Sequence, residues 1–455
     1  MYLLYSLLLT VGLIALVPRF AIDALRTRKY ITGLRERLGS LHKLPTSDRP
    51  LIWLHCVSVG ETEAARPLVR ALLDRFPSYR LVVSTTTVTG QQVARSAFSR
   101  DATAFFYFPI DLAWIVRRVL RILRPAAVVI METELWPNLL RECRRQSISV
   151  AIVNGRISKT SFSRYKLVSP FIRRVLNNLT LALMQSEQDA VRIRELGLAD
   201  KRILLTGNLK FDSAGVALDD AATTATIRNR FGFNGNERLI VAASTHAPEE
   251  SIIIDAFERI KNSKLGDRVR LLIAPRHPER FNEVATLLEA SGIPWSRRSD
   301  APNERDLISD IVLLDSIGEL RAIFPLADVA FIGGSITPHG GHNMLEPASH
   351  GVCVVTGAHT HNFAAVTKAL LDEDAVVQLP DVSAGEPAAE LTAILSELLQ
   401  DDQHRREIGQ RALAVCDRNR GATERTVSSI GGLLETRAAI AESIPFPTFQ
   451  ASATK

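Results

Sequence analysis

The chain has 455 residues, 46% hydrophobic and 23% charged, which is too long for one ordinary core and too apolar for a disordered protein, so two globular domains are expected. Its 55 Lys and Arg against 49 Asp and Glu leave a net charge of +6. That charge suits an anionic partner, but the absence of zinc-finger spacing, an RNP-like aromatic motif or a concentrated basic helix excludes the common nucleic-acid binders. The four cysteines, Cys56, Cys143, Cys353 and Cys416, are scattered without C-x-x-C spacing, which speaks against a disulfide framework or a structural zinc and for a reducing compartment.

Residues 3–17 form an uncharged apolar run that ends at Pro18, and Arg19, Arg26, Arg28, Lys29, Arg35 and Arg37 follow it. Positive charge behind the run, with no small-residue cleavage site, argues for an uncleaved membrane anchor rather than a signal peptide; a buried core helix is the alternative. Residues 1–17 as a helix reach roughly 25 Å, a little short of a hydrocarbon core of about 30 Å. A single-pass anchor over residues 1–20 is expected, with the basic cluster holding the rest on the cytoplasmic face of the inner membrane.

From residue 50, short apolar runs alternate with segments of helical period: LIWLHC before 61–76, AAVVIM before 135–146, SVAIVN, and LALMQ before 187–196. A second series, RLIVAA, RLLIA, IVLL, VAFIG, VCVVT and AVVQL, follows a small, polar stretch after Asp212. Such alternation predicts βα units and parallel sheets. The expected fold class is α/β: two doubly wound Rossmann-like domains, one over 21–211 and one over 223–455 with the terminal helices, joined by a linker at 212–222. Ligands of such sheets bind beyond the carboxyl ends of the strands, so chemistry is sought there and in the cleft between the domains.

In the first domain, Glu61 follows LIWLHC and the Gly60 turn, placed either as a base or as a helix-capping carboxylate. Glu132 and Glu134 follow AAVVIM and point the same way if the chain stays extended, ahead of a helix opening at Pro137. They suit acceptor binding or support of Glu61, or simply cap that helix. In the second domain four strand ends stand out. Ser244, Thr245 and His246 offer an anion site at a helix start. Pro275 and Arg276 offer a guanidinium to a phosphate or carboxylate. Ile317, Gly318 and Glu319 open a further helix. The glycines at 333–334 and 340–341 free the backbone to wrap a phosphate, and they lead into Asn343, Met344, Leu345 and Glu346, where Asn343 can cap a helix and Glu346 can reach a ribose hydroxyl or complete the cap. Four such elements in one domain favour a nucleotide site. His246, His277, His339 and His342 lack a carboxylate or cysteine at ligand spacing, and Asp372-Glu373-Asp374 reads as a solvated turn, so neither a metal nor another cofactor is expected.

Together, Arg37-Leu38-Gly39, H-C-V-S-V-G-E at 55–61, E-T-E-L-W-P-N at 132–138, N-G-R-I-S at 154–158, S-T-H at 244–246, P-R-H-P-E-R-F at 275–281 and G-G-H-N-M-L-E-P at 340–347 resemble the 3-deoxy-D-manno-oct-2-ulosonic acid (Kdo) transferases of lipopolysaccharide synthesis. The resemblance covers nearly the whole chain. It implies the two-domain glycosyltransferase-B architecture, a CMP-Kdo donor, and a lipid A precursor (lipid IVA) as acceptor. Glu61 matches the general base of an inverting displacement, and Pro275, Arg276, 317–319 and 343–346 match segments that contact the cytidine nucleotide. Cys56 and Ala247-Pro248 depart from the pattern, which affects the expected loop shapes. Two readings compete with it: a nucleotide-sugar 2-epimerase of the same architecture, and a membrane-tethered nucleotide-sugar binding protein without catalysis.

Overall fold

The structure is a computed structural model, and it describes residues 1–27, 32–42, 44–213, 220–235, 237–381 and 385–442. The chain divides into two compact units, the first comprising 1–213 and 420–455 and the second 214–419.

The first unit is built on seven parallel strands: β1 (Leu51–Cys56), β2 (Arg80–Thr85), β3 (Ala102–Tyr107), β4 (Ala127–Met131), β5 (Ser149–Gly155), β6 (Leu181–Met184) and β7 (Ile203–Leu205), ordered β3-β2-β1-β4-β5-β6-β7. Two apolar clusters cover its faces. Trp53, Val128, Ile130, Leu139 and Val175 lie in one, and Leu54, Leu68, Val83, Val129 and Ile430 in the other. A sheet covered on both faces explains why β1 and β4 are continuous apolar runs rather than alternating ones. The second unit repeats the architecture with β8 (Arg238–Thr245), β9 (Val269–Pro275), β10 (Trp295–Arg297), β11 (Ile311–Leu313), β12 (Val329–Ile332), β13 (Cys353–Thr356) and β14 (Val377–Gln378), ordered β10-β11-β9-β8-β12-β13-β14. The direction of winding reverses between β1 and β4 in one sheet and between β8 and β12 in the other. Those reversals open the crevices where open parallel sheets take ligands.

Two expectations are corrected. The second domain does not extend to the C-terminus, because the helix Ala422–Glu442 packs on the first unit through Val427, Ile430 and Leu434. Asp212, expected in the linker, fixes that return by accepting from the backbone N–H groups of Gly421 and Thr423, which start the helix. Of the linker, residues 214–219 lie outside the described residues, and a helix already begins at Asp220.

The second correction concerns the anchor. The apolar run is helical, within Tyr2–Thr27, yet no helix among the described residues is long and apolar enough to cross a membrane. The run is cut off at Pro18-Arg19, before it reaches bilayer thickness. One side of the helix rests on the first unit: Tyr2 packs edge-on against Phe171, the Tyr5 hydroxyl donates to Asp111 at 3.0 Å, and Ser6 accepts from Asn138 Nδ2 at 3.0 Å. Of the basic cluster behind it, Arg37 is occupied within the fold, donating to the Thr86 carbonyl and lying over the Tyr107 ring, while Arg28 and Lys29 lie outside the described residues.

Candidate functional site

At the β1–β4 reversal the chain leaves β1 through Val57 and Ser58 and enters the helix Val59–Arg75, whose first turn carries Glu61. The Glu61 carboxylate is turned back on its own strand end. Oε2 accepts the Val57 N–H at 2.7 Å and Oε1 accepts the Ser58 hydroxyl at 3.1 Å. With 7% of its surface exposed, it is held as a carboxyl with a pKa of about 8. Burial is the largest cause, and the charges of Glu132 and Glu134 add to it, outweighing the two hydrogen bonds that favour the ionised form.

Glu132 sits at φ +53, so the chain is not extended after β4 and the argument that placed Glu132 and Glu134 on one side fails. Both carboxylates nevertheless act on Glu61, and Glu134 is itself raised by burial and then by Glu132. The next turn is fixed from outside. The helix Pro137–Arg145 begins with proline, and its free Asn138 and Leu139 N–H groups donate to the two oxygens of Asp111 at 2.9 and 2.8 Å. Asp111 is 2% exposed, and burial raises it to about 7 against the opposing effect of those bonds and of Tyr5.

Lys210 completes this group and escapes a reading of the sequence, because the strand before it, β7, has only three residues and carries no recognisable period. Half-buried, its ammonium is lowered by desolvation, with Glu132 and Glu61 opposing and Arg156 assisting. Asn154 at the end of β5 holds this stretch in place by accepting the Leu209 N–H at 3.0 Å. Three carboxylates and one lysine therefore meet at the carboxyl edge of the first sheet, where a proton can be taken from a bound hydroxyl.

In the second unit the predicted residues sit at strand ends, with different uses. The backbone expected to wrap a phosphate is already occupied. Glu249, 0% exposed, accepts the N–H groups of Gly334 and His246 on Oε2 and of Ser335 and Ile336 on Oε1, at 2.6 to 3.0 Å. Gly333 is required there, since a Cβ would lie 2.6 Å from the Ser244 carbonyl oxygen. At Ser244, Thr245 and His246, expected to offer an anion site, the His246 N–H is taken by Glu249 and Ser244 adopts φ +55. Thr245 Oγ1 is buried and has no hydrogen-bond partner among the described residues.

Arg276 leaves β9 behind the buried Pro275, with its N–H on the Thr245 carbonyl and its side chain exposed. Ile317 is 82% exposed, and Gly318 at φ +92 faces open space. Glu319 is engaged by Arg298 at 2.8 Å and by the Ser316 hydroxyl. Asn343 Oδ1 accepts the Leu345 N–H while Nδ2 donates to Glu346 at 3.0 Å, so these two side chains are linked to each other. Met344 and Leu345 are buried in the core, which leaves their backbone rather than their side chains for any ligand.

The histidines, scattered along the sequence, converge. His246 lies with its ring centroid 5.1 Å from His277, 4.4 Å from His339 and 5.0 Å from His342, and its Nε2 is 2.8 Å from His342 Nε2. Among the described residues no group of three or more His, Cys, Asp or Glu is arranged to hold a metal ion. Asp372 and Glu373 pair with Lys368 and Arg418 on the surface.

Residues 32–213 match the family described as "3-Deoxy-D-manno-octulosonic-acid transferase (kdotransferase)". The 3-deoxy-D-manno-octulosonic acid transferase of Haemophilus influenzae is 32% identical over 414 residues, covering 90% of this chain and 94% of that protein. The transferase of the same name from Bordetella pertussis is 32% identical over 382 residues, 83% of this chain and 86% of its own. In fold, the chain is similar to the UDP-GlcNAc 2-epimerase of Neisseria meningitidis, with a TM-score of 0.54 over 85% of this chain and all of that one, at 13% identity.

Proposed function

We propose, from the premise that this chain belongs to the Kdo transferase family, that it moves Kdo from CMP-Kdo to the lipid A precursor lipid IVA with inversion at the anomeric carbon. It is a glycosyltransferase, a Kdo transferase of lipopolysaccharide core biosynthesis. The observation that carries the finer reading is Glu61, a buried carboxyl with a pKa of about 8 at a strand end, beside Glu132, Glu134 and Lys210. A base poised near neutral pH can take a proton from a sugar hydroxyl as that oxygen attacks. The first unit binds the acceptor and supplies this base. In the second unit, Arg276 and the backbone around 317–319 and 343–346 hold the cytidine nucleotide, and the guanidinium stabilises the departing phosphate. No residue of the mechanism calls for a metal.

The protein works on the cytoplasmic face of the inner membrane, lying on it rather than crossing it. Leu3, Leu4, Leu7, Leu8, Val11 and Ile14 are all more than half exposed and share the side of their helix opposite Tyr2, Tyr5 and Ser6. Such a stripe suits the boundary between headgroups and acyl chains, with basic surface meeting anionic lipid.

The test is mass spectrometry of the lipid made by purified full-length protein from tetraacylated lipid A precursor and a CMP-Kdo generating system, with UDP-N-acetylglucosamine as the competing substrate. Kdo-modified lipid is expected. Epimerised UDP-N-acetylglucosamine without modified lipid would favour the epimerase reading, and neither product would favour a binding protein.

A further inference from the structure

At the carboxyl edge of β8, β9 and β12, four imidazoles and a guanidinium gather without a free carboxylate among them. His246 follows β8; Arg276 and His277 follow β9; His339 and His342 lie on the loop after β12. The rings of His246 and His342 are within 3° of parallel, yet their Nε2 atoms are only 2.8 Å apart while their centroids are 5.0 Å apart. A face-to-face stack cannot have that geometry. The rings meet head to head, in an N–H···N bond that holds one proton between two imidazoles.

The surroundings are cationic. His339, His277, Arg276 and Arg280 face His246, and Arg276, His277 and His339 face His342. The carboxylates nearby are already engaged. Glu249 is surrounded by four N–H groups, Glu250 pairs with Arg280 at 2.6 Å, Glu279 lies 3.8 Å from His277, and Glu346 is held by Asn343. Burial and these positive neighbours push His246 to about 4 and His342 to about 3, so the pair is neutral at neutral pH. The charges that bear most on the His246 and His342 rings come from arginine and histidine neighbours, with no carboxylate among them.

The geometry points to the His246–His342 pair as a proton-accepting part of the donor site, which takes up one proton when an anionic phosphate binds beside Arg276. This rests on the nucleotide-binding reading of the second unit. The proton count is simple. Two neutral imidazoles carry two protons on four ring nitrogens; one lies in the Nε2···Nε2 bond and one on an outer Nδ1. One proton from solvent fills the second Nδ1, leaves the central bond intact, and gives the pair a single positive charge. Burial is the larger cause that keeps the pair neutral and the positive neighbours add to it; a bound phosphate offsets the contribution of those neighbours, so anion and proton favour one another's binding.

The experiment is calorimetric titration of the full-length protein with CMP between pH 6.5 and 8, in buffers of different ionisation enthalpy, with cytidine in a parallel arm. Wild type and a His404→Gln control, altered at an exposed helical histidine elsewhere in the unit, should take up a larger fraction of a proton than His246→Gln or His342→Gln, with the difference growing as pH falls toward 6.5. The difference between wild type and variant removes the proton that CMP's own phosphate carries. Wild-type affinity should strengthen by up to about tenfold more per unit fall in pH than that of the variants, and cytidine should show no linkage. Histidine-selective nitrogen NMR of wild type, with and without CMP, gives the same answer without a substitution: two imidazole signals should move toward the protonated form. CMP binding with equal uptake in wild type and variants, and unmoved imidazole signals, would overturn this inference alone. No CMP binding at all would overturn the donor reading with it.

Discussion

The Tyr5 hydroxyl donates to the Asp111 carboxylate at 3.0 Å, so a residue of the N-terminal apolar helix reaches the group that caps the helix behind Glu132 and Glu134. Tyr5→Phe leaves the ring but removes the donor, and should cost on the order of 1 to 2 kcal/mol. The pH dependence has a definite sign. The folded pKa of Asp111, about 7, is raised above an unfolded carboxyl, so this group favours folding most at low pH and that contribution is lost as pH rises through about 7. The Tyr5 hydroxyl stabilises the ionised form, so the loss of Tm in Tyr5→Phe should be larger at pH 8 than at pH 5. An equal loss at both would remove Asp111 from the account.

The exposed side of the same helix makes a separate prediction. Leu7→Glu with Val11→Glu places two charges in the apolar stripe without touching Tyr2, Tyr5 or Ser6, so folding and Tm should stay near wild type. Sedimentation with vesicles of mixed neutral and anionic lipid should fall severalfold. Undiminished sedimentation would mean that this face does not meet lipid.

Glu249 should tolerate no substitution. A glutamine keeps one acceptor oxygen but turns an NH2 group toward two backbone N–H donors, so at least two bonds to a charged acceptor are lost from a site with no access to water. At about 1.5 to 3 kcal/mol each, Glu249→Gln should lower stability by about 3 kcal/mol or more in denaturant titration. A change below 1 kcal/mol would show that the loop after β12 does not depend on this carboxylate.

The same carboxylate marks where the sequence is legible and where it is not. β1, β4 and β12 are largely apolar runs, with β4 ended by Glu132, β12 by Gly333 and β1 by a short turn before Gly60 and Glu61, so their strand ends can be read directly. β2 and β3 are hidden between polar flanks, and β7 and β10 are too short to carry a period, which is why Lys210 escapes notice. The glycines at 333–334 suggest a phosphate because a glycine-rich turn reveals that backbone N–H groups are free to be used, not by what. The acceptor lies 85 and 86 residues earlier in the chain, a pairing no local pattern encodes. Ligand spacing along the chain says nothing for the histidines, whereas strand ends and one loop bring them together in space.

Arg276→Ala should weaken CMP binding while leaving stability unchanged, since the side chain is exposed and its fixed contact is made by the backbone N–H. A charge-assisted bond to phosphate contributes about 1.5 to 3 kcal/mol. Solvent around the free guanidinium places the loss near the lower end, about tenfold in Kd. Arg276→Lys keeps the charge without the planar fork and should recover part of it. Unchanged CMP affinity in Arg276→Ala would remove this residue from the donor site.

Glu61→Gln separates catalysis from capping, because the two roles predict different changes in rate and opposite trends in stability. As general base, Glu61 must be ionised, so kcat/KM of the wild type should rise with pH and level off above about 8. The glutamine variant should lose about two to four orders of magnitude in turnover while still binding CMP through the second unit. The stability consequence follows from the raised pKa. Glu61 in the folded protein binds a proton more tightly than in the unfolded chain, so its contribution to folding is greatest below the ordinary glutamate range and is lost as pH rises through about 8. Glutamine does not titrate, so the Tm of Glu61→Gln relative to wild type should increase steadily from pH 5 to pH 8. A carboxylate that merely complements a helix N-terminus behaves in the reverse sense: its replacement costs about 0.3 to 1 kcal/mol where it is ionised and leaves turnover almost untouched. A Glu61→Gln protein that transfers Kdo at the wild-type rate and melts lower at pH 8 would therefore move the base to Glu132 or Glu134, each to be tested by the same substitution and the same pH series.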